Sequence, residues 1–213
     1  MDEDLKVLLI QRNESPFKDM WSLPGGFIRL DESLDEAALR KLKEKTNIDN
    51  IYLEQLYTFG AVNRDPRERI ITVAYFALVS SDCFQLKPSE AVKEIKWFSI
   101  YQLPPLAFDH RHILIYAHER LRNKLGYSTV GFQLLPEEFT LPELGRMYEI
   151  ILQKKIDKRN FRKKILFLDI LEDTHHSTQE FSKKPAKLYR FKQATSFEIP
   201  LKNPIMVQKI LQN

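Results

Sequence analysis

The hydrophobic positions of this 213-residue chain change period several times, and each change marks an element. Lys6–Gln11 (KVLLIQ) is a continuous apolar run of strand length, followed by polar residues 12–20 of loop character. Leu23-Pro24-Gly25-Gly26 reads as a turn, and Ser33-x-x-Glu36 has the spacing of a capping box. The helix it opens carries an apolar stripe at Leu34, Ala37, Ala38 and Leu42. Ile51–Val62 and Ile70–Ser80 are β-branched and aromatic runs; the charged stretch 63–69 around Pro66 makes a turn between them. A polar loop over 87–94 precedes a short strand, Ile95–Phe98. After Pro104-Pro105, Asp109 is placed to cap a helix through Leu125, closed by Gly126. Its buried face is Ile113, Tyr116, Ala117, Leu121 and Leu125. His110 and His112 cannot share one helical face, so they do not read as a metal pair.

Residues 127–139 show little periodicity and read as a connector. Thr140-x-x-Glu143 then forms a second capping box, with Pro142 tolerated in the first turn of a helix through Leu152. Asp157 caps another helix, residues 158–168. At 100° per residue, Phe161, Ile165 and Leu168 gather on the core side, while Arg159, Arg162 and Lys163 face away with Lys158 at their flank. Further on, Lys183-Lys184-Pro185-Ala186-Lys187-Leu188-Tyr189-Arg190-Phe191 reads as the basic part of a strand pair. Helix, short turn, basic helix, strand pair is the order of a winged helix-turn-helix. The DNA-contacting residues it predicts are Lys158, Arg159, Arg162, Lys163, Lys184 and Lys187.

Charge sharpens that reading. Net charge is only +4, but residues 131–213 hold 15 Lys and Arg against 10 Asp and Glu, whereas residues 1–130 hold 18 against 19. The basic excess lies in the C-terminal third, which predicts a polyanion partner for that part alone. With 43% hydrophobic and 29% charged residues and no long apolar run, the chain reads as globular, without a membrane span and cytoplasmic. The single Cys83 allows no intramolecular disulfide, fits a reducing compartment and reads as buried or inert.

The stretch 25–48 carries the chemistry. From Gly26, Glu32 is six residues on, Arg40 eight further and Glu44 four beyond that. This resembles the Nudix box, G-x5-E-x7-R-E-U-x-E-E-x-G-U, in which a glycine loop precedes a helix whose glutamates hold magnesium against a diphosphate. Lys41 and Lys45 stand where the pattern has glutamates, and Asn47 replaces its last glycine. Positions 41, 44 and 45 share one helix surface, so the local formal charge changes from −3 to +1. Two ammonium groups at ~4 Å oppose a cation by about 1 kcal/mol each in water and by several at intermediate dielectric. The metal site therefore reads as lost or badly weakened. The lysines can meet a ligand's phosphates directly or simply solvate the helix.

The resemblance extends to Arg64-Asp65-Pro66-Arg67 before a Val73–Leu78 strand, and to Phe139-Thr140-Leu141, Asp157–Lys164 and Lys184–Phe191. Together these are similar to the Nudix-related transcriptional regulators. That resemblance implies an α/β fold: a Nudix-like α/β/α sandwich over residues 1–126 with its connecting helix, a winged helix over 127–193, and a tail over 194–213. Nudix domains usually have one more strand before Lys6, so either the chain starts upstream or another segment covers that edge. The implied function is a ligand-responsive, DNA-binding regulator, expected to be a homodimer on a two-fold symmetric operator. Its effector would be ADP-ribose, as in regulators of NAD metabolism, or a pentose, as in sugar-catabolic relatives. The expected ligand-contacting residues are Gly25, Gly26, Arg40, Lys41, Glu44, Arg64 and Arg67, with Arg40 weighted toward orienting the box carboxylates. No cofactor is required on this reading. A second reading stays open: an active Nudix pyrophosphohydrolase on ADP-ribose-like substrates, with Glu32, Glu44 and Glu90 or Glu94 holding one Mg2+. A module that only makes protein contacts leaves the basic helix face unexplained.

Overall fold

The computed structural model describes residues 4–49, 51–79, 86–88, 92–126, 128, 130–178 and 185–192. Cys83, Glu90, Lys184 and the tail 194–213 lie outside the described residues. Internal packing divides the described chain into two compact units. One holds residues 4–117 apart from 78–79, and the other holds 78–79 and residues from 118 onward.

In the first unit β1 (Lys6–Arg12) is central, flanked by the short β2 (Trp21–Ser22) and by β5 (Val92–Ser99), both antiparallel. Leu8, Leu9 and Ile10 are all buried, as a strand covered on both faces requires, which is why its sequence does not alternate. Both edges of β1 are thus paired; Trp21 and Ser22, between the loop read over 12–20 and the glycine turn, supply the second neighbour.

β3 (Glu54–Phe59) and β4 (Thr72–Phe76) form a separate antiparallel pair, shorter than the two apolar runs predicted. The register shifts between Gln55 and Tyr57, so Leu56 and Phe59 both reach the core despite being three residues apart. They pack with Ile113, Tyr116 and Ala117 of α2 (His110–Lys124), together with Leu23, Ala74 and Phe76. α1 (Leu34–Thr46) has the predicted capping box: Ser33 Oγ accepts from the Glu36 N–H while Glu36 accepts from the Ser33 N–H. Its C-cap, Asn47, takes the left-handed conformation at φ 61°, and its N–H donates to the Lys43 carbonyl. Asparagine tolerates that conformation, so the exchange of the box's last glycine leaves the helix end intact. The predicted stripe is only partly buried: Ala37 is enclosed, but Leu34 is exposed.

The second unit is a winged helix. β6 (Phe139–Thr140), β8 (Lys187–Phe191) and β7 (Leu171–Ser177) form one antiparallel sheet in that order. α3 (Leu141–Leu152) starts at the Thr140–Glu143 capping box and buries Leu141, Leu144, Met147, Tyr148 and Ile151. α4 (Lys158–Phe167) is capped by Asp157, whose carboxylate accepts the Asn160 N–H at 2.6 Å. Phe161 and Ile165 are its core residues, with Phe161 edge-on to Tyr148 at 5.4 Å. Leu168, expected beside them, is the half-buried C-cap instead, because α4 ends at Phe167. The connector contains a 3-10 turn, Val130–Leu134, that brings Gly131 against Leu125 and Met147.

A Cβ built on Gly131 would lie 2.5 Å from Leu125 Cδ2 and 3.2 Å from the Met147 thioether, both in fully enclosed side chains. Gly131→Ala should therefore destabilise the protein by about 1–3 kcal/mol through overpacking. Chemical denaturation checks this, with Gly60→Ala, where the nearest atom is 3.9 Å away, as the mild comparison.

Candidate functional site

Two adjacent residues at the start of α2 position the glycine turn and the 63–69 loop. His110 Nδ1 accepts the Leu23 N–H at 2.9 Å, and burial holds this imidazole neutral, with its pKa lowered to about 4. Asp109 receives both edges of the Arg64 guanidinium, at 2.7 and 2.9 Å. Its carboxylate thus faces Arg64, while its backbone carbonyl takes the first helical N–H groups, instead of the side chain capping the helix as expected. Arg64, expected at the ligand, is a buried structural residue whose fork is committed to Asp109.

The predicted box residues do come together. Arg40 binds Glu32 with two guanidinium nitrogens, reaches Glu44 Oε1 at 2.9 Å and donates to the Phe27 carbonyl at 3.3 Å. Glu32 also accepts the Arg29 N–H at 2.7 Å, which closes the loop after the glycines. Lys41 Nζ holds the other oxygen of Glu44 at 2.8 Å, and its aliphatic stem covers Gly26, where a Cβ would stand 2.8 Å from it. A side chain at Gly26 would displace only the flexible end of Lys41, whereas Gly25 faces open space. Lys45 has no hydrogen bond or ion pair among the described residues. The bond to Arg40 lowers the Glu32 carboxyl to about 2; the bonds to Lys41, then to Arg40, do the same for Glu44.

Arg67 lies at the margin of this group. Asp65 holds it through two bonds of 2.7 and 3.0 Å, and its guanidinium is 5.7 Å from the Phe27 ring and 5.5 Å from the Phe108 ring. Phe27 is 62% exposed, and its backbone belongs to the Arg40 network. Glu94 is in β5, opposite Gln11. Sequence reasoning did not assign Phe27 and Arg29, which fill variable places in the box pattern, to the site, and it read Asp109 only as a helix cap and His110 only as no metal ligand.

The donor set does not fit magnesium. Both oxygens of Glu44 hold cationic nitrogens and both of Glu32 are bonded, while a hard dication needs free anionic oxygens. Among the described residues no group of three or more His, Cys, Asp and Glu could hold a metal ion. What the surface offers instead is cationic: Arg29, Arg40, Lys41 and Lys45 against Glu32 and Glu44.

In the winged unit Lys158, Arg159, Arg162 and Lys163 are all exposed and make no hydrogen bond or ion pair among the described residues. The wing differs: Lys187 is bound to Asp173 at 2.8 Å, Arg190 to Glu172 at 3.0 Å and Lys192 to Asp169 at 2.6 Å. Lys187 nonetheless lies near enough to Arg162 to feel its charge.

Residues 1–117 match the family described as NUDIX domain, and residues 131–191 the one described as NrtR DNA-binding winged helix domain. The "ADPR responsive transcriptional repressor NtrR" of Acinetobacter baylyi is 42% identical over 191 residues, covering 88% of this chain and 76% of that protein. The chain belongs to the NrtR family. Shewanella oneidensis NrtR, solved with a 27mer DNA, superposes with TM-score 0.77 at 40% identity, covering 98% of this chain and 91% of that one. The NUDIX domain of the same Shewanella protein, solved with ADP ribose, has TM-score 0.53 at 45% identity over 57% of this chain and 80% of that one. As in other members, a Nudix domain precedes a winged helix, and no helix among the described residues is long and apolar enough to cross a membrane.

Arg40→Gln should release both box glutamates. Their pKa values near 2 lie below the ordinary 4.5, so their ion pairs stabilise the loop above about pH 4.5 and are lost as pH falls toward 2. In the variant the Glu32 midpoint should move up toward 4.5 in an NMR carboxyl titration, with a smaller rise for Glu44, which keeps Lys41.

Proposed function

We propose that this chain is a transcriptional repressor that binds duplex DNA through α4 and responds to ADP-ribose through its Nudix domain. The observation that carries the reading is the contrast between its two charged surfaces. α4 presents four exposed cations without partners, and the box helix presents lysines where a hydrolase needs glutamates. A full-length relative named for its response to ADPR, and a NUDIX domain of the family solved with ADP ribose, support that effector over a pentose. Lys41, Lys45 and Arg29, next to the Gly25-Gly26 turn, are the groups we assign to the diphosphate, with Arg67 and Phe27 at its margin. Arg40 acts as positioning residue, and no metal is required for binding. The regulator works as a homodimer on a two-fold symmetric operator in the cytoplasm.

Arginine offers a fork for guanine edges, whereas lysine is a point charge for phosphate. The Arg159→Ala and Arg162→Ala pair should cost about 1–3 kcal/mol per residue at the operator and relax base preference. Lys163→Ala should weaken all duplexes alike and flatten the salt slope by about one unit. Lys187→Ala should do less, because its charge is already matched by Asp173. Fluorescence anisotropy across several salt concentrations separates these classes. An operator affinity unchanged in the double arginine variant removes α4 as the reader.

The effector assignment is tested by gel shift on DNA upstream of neighbouring genes, with ADP-ribose, ribose 5-phosphate or neither. A shift altered by ADP-ribose alone, with negligible turnover of ADP-ribose in Mg2+, is expected. Rapid hydrolysis abolished by Glu44→Gln would make the protein an enzyme instead.

A further inference from the structure

One carboxylate stands on the basic side of the winged unit and is not explained by charge. Glu149 lies in the last turn of α3, four residues before the C-cap. The turn between α3 and α4 is built on it. Its backbone carbonyl accepts the N–H of Gln153, which is in the left-handed conformation, and that of Lys154 at 3.3 Å. Its side-chain Oε1 accepts the N–H of Ile156 at 3.0 Å. Ile156 immediately precedes Asp157, the residue that caps α4. Three of the peptide N–H groups in the turn therefore end on a single residue, and the last of them fixes where the reading helix begins.

The placement is electrostatically adverse for a protein that binds a polyanion. Lys154, Lys155, Lys158 and Arg159 are all exposed around this turn, and Lys155 Nζ approaches Glu149 Oε2 only at 3.6 Å with its side chain 94% exposed. A pair that open to water contributes little. The side chain, 20% exposed, adds a negative charge to the face proposed to meet phosphate. What it supplies is geometry: without an acceptor, the Ile156 N–H loses its hydrogen-bond partner among the described residues in a half-buried place, and the turn must rearrange to hydrate it.

We propose that Glu149 is a positioning residue for sequence discrimination: it sets the start and angle of α4 through Ile156, at a cost in general DNA affinity. The inference rests on α4 being the DNA-reading element. Two conservative variants separate its two effects. Glu149→Gln keeps an acceptor at the same reach and removes the charge. Glu149→Asp keeps the charge and shortens the reach.

The test measures full-length protein on two duplexes, one selected from random sequence by the wild-type protein and one of shuffled sequence. Glu149→Asp should lose about tenfold on the selected duplex and remain unchanged on the shuffled one, so the ratio of the two affinities falls tenfold. Glu149→Gln should bind both duplexes more tightly and keep the ratio. Thermal melts accompany both, and a variant that merely unfolds would lose both duplexes in parallel, which overturns a positioning role. A ratio unchanged in Glu149→Asp also overturns it, as does a ratio lost equally in Glu149→Gln. Failure of the wild-type protein to select any sequence would instead sink the DNA-binding reading on which the proposal stands.

Discussion

The geometry of the Nudix unit depends on two consecutive side chains, Asp109 and His110, at the start of α2. One binds Arg64 in the loop before β4; the other binds the peptide N–H of Leu23 just before the glycine turn. Each bond joins residues far apart in sequence, and each works only in one ionisation state. Asp109 must be charged to hold a buried guanidinium, since leaving Arg64 unpaired would strand a charge at a cost of about 3–5 kcal/mol. His110 must be neutral so that Nδ1 can accept, and burial ensures this by lowering its pKa to about 4. With both ends of the loop system fixed to one helix, the short box segment between Leu23 and Ser33 needs only Arg40 to shape it.

Arg40 holds the two box carboxylates together. In a hydrolase the cation would gather the box carboxylates; here guanidinium and ammonium groups gather them instead. Glu32 and Glu44 stay ionised far below ordinary pH because Arg40 and Lys41 bind their oxygens, and those same bonds set cationic nitrogens beside the oxygens a metal would use. The substitution is thus structurally self-consistent. Lys41 neutralises Glu44, covers Gly26 with its stem and leaves the helix with a cationic surface suited to a diphosphate.

Much of this was legible in the sequence, and the limits have physical causes. Local signals were the most secure: the two capping boxes at Ser33 and Thr140 and the cap at Asp157 lie where their spacing puts them, because capping involves residues three apart. The exposed basic face of α4 followed from helical period alone. The strand ends were less secure, since β3 and β4 are cut short where side chains leave the shared core, and the bulge at Leu56 breaks the period-two pattern. Arg64 was assigned to the ligand because an arginine in a polar loop reads as free; its partner Asp109 is 45 positions away and invisible to any local rule. Leu168 fell out of the predicted core for a similar reason, as helical periodicity continues on paper past the point where α4 ends.

The winged unit divides affinity from specificity by how its cations are matched. In the wing each described Lys and Arg of β8 and its flank faces an acid, Asp173 and Glu172 of β7 or Asp169 just before it, so those charges are matched and the hairpin is braced across its register. On α4 four of the five cations face solvent, and Glu149 at the preceding turn is engaged with a backbone N–H. On the reading proposed above, long-range attraction to phosphate originates at α4, whose arginines are the groups assigned to base edges. A matched wing adds little to that attraction but can exchange Asp173 for a phosphate at Lys187 once the duplex is seated, because an exposed pair is worth only about 0–1 kcal/mol. On the proposed reading, charge draws the protein to any duplex through α4, and the angle of that helix decides which duplex it keeps.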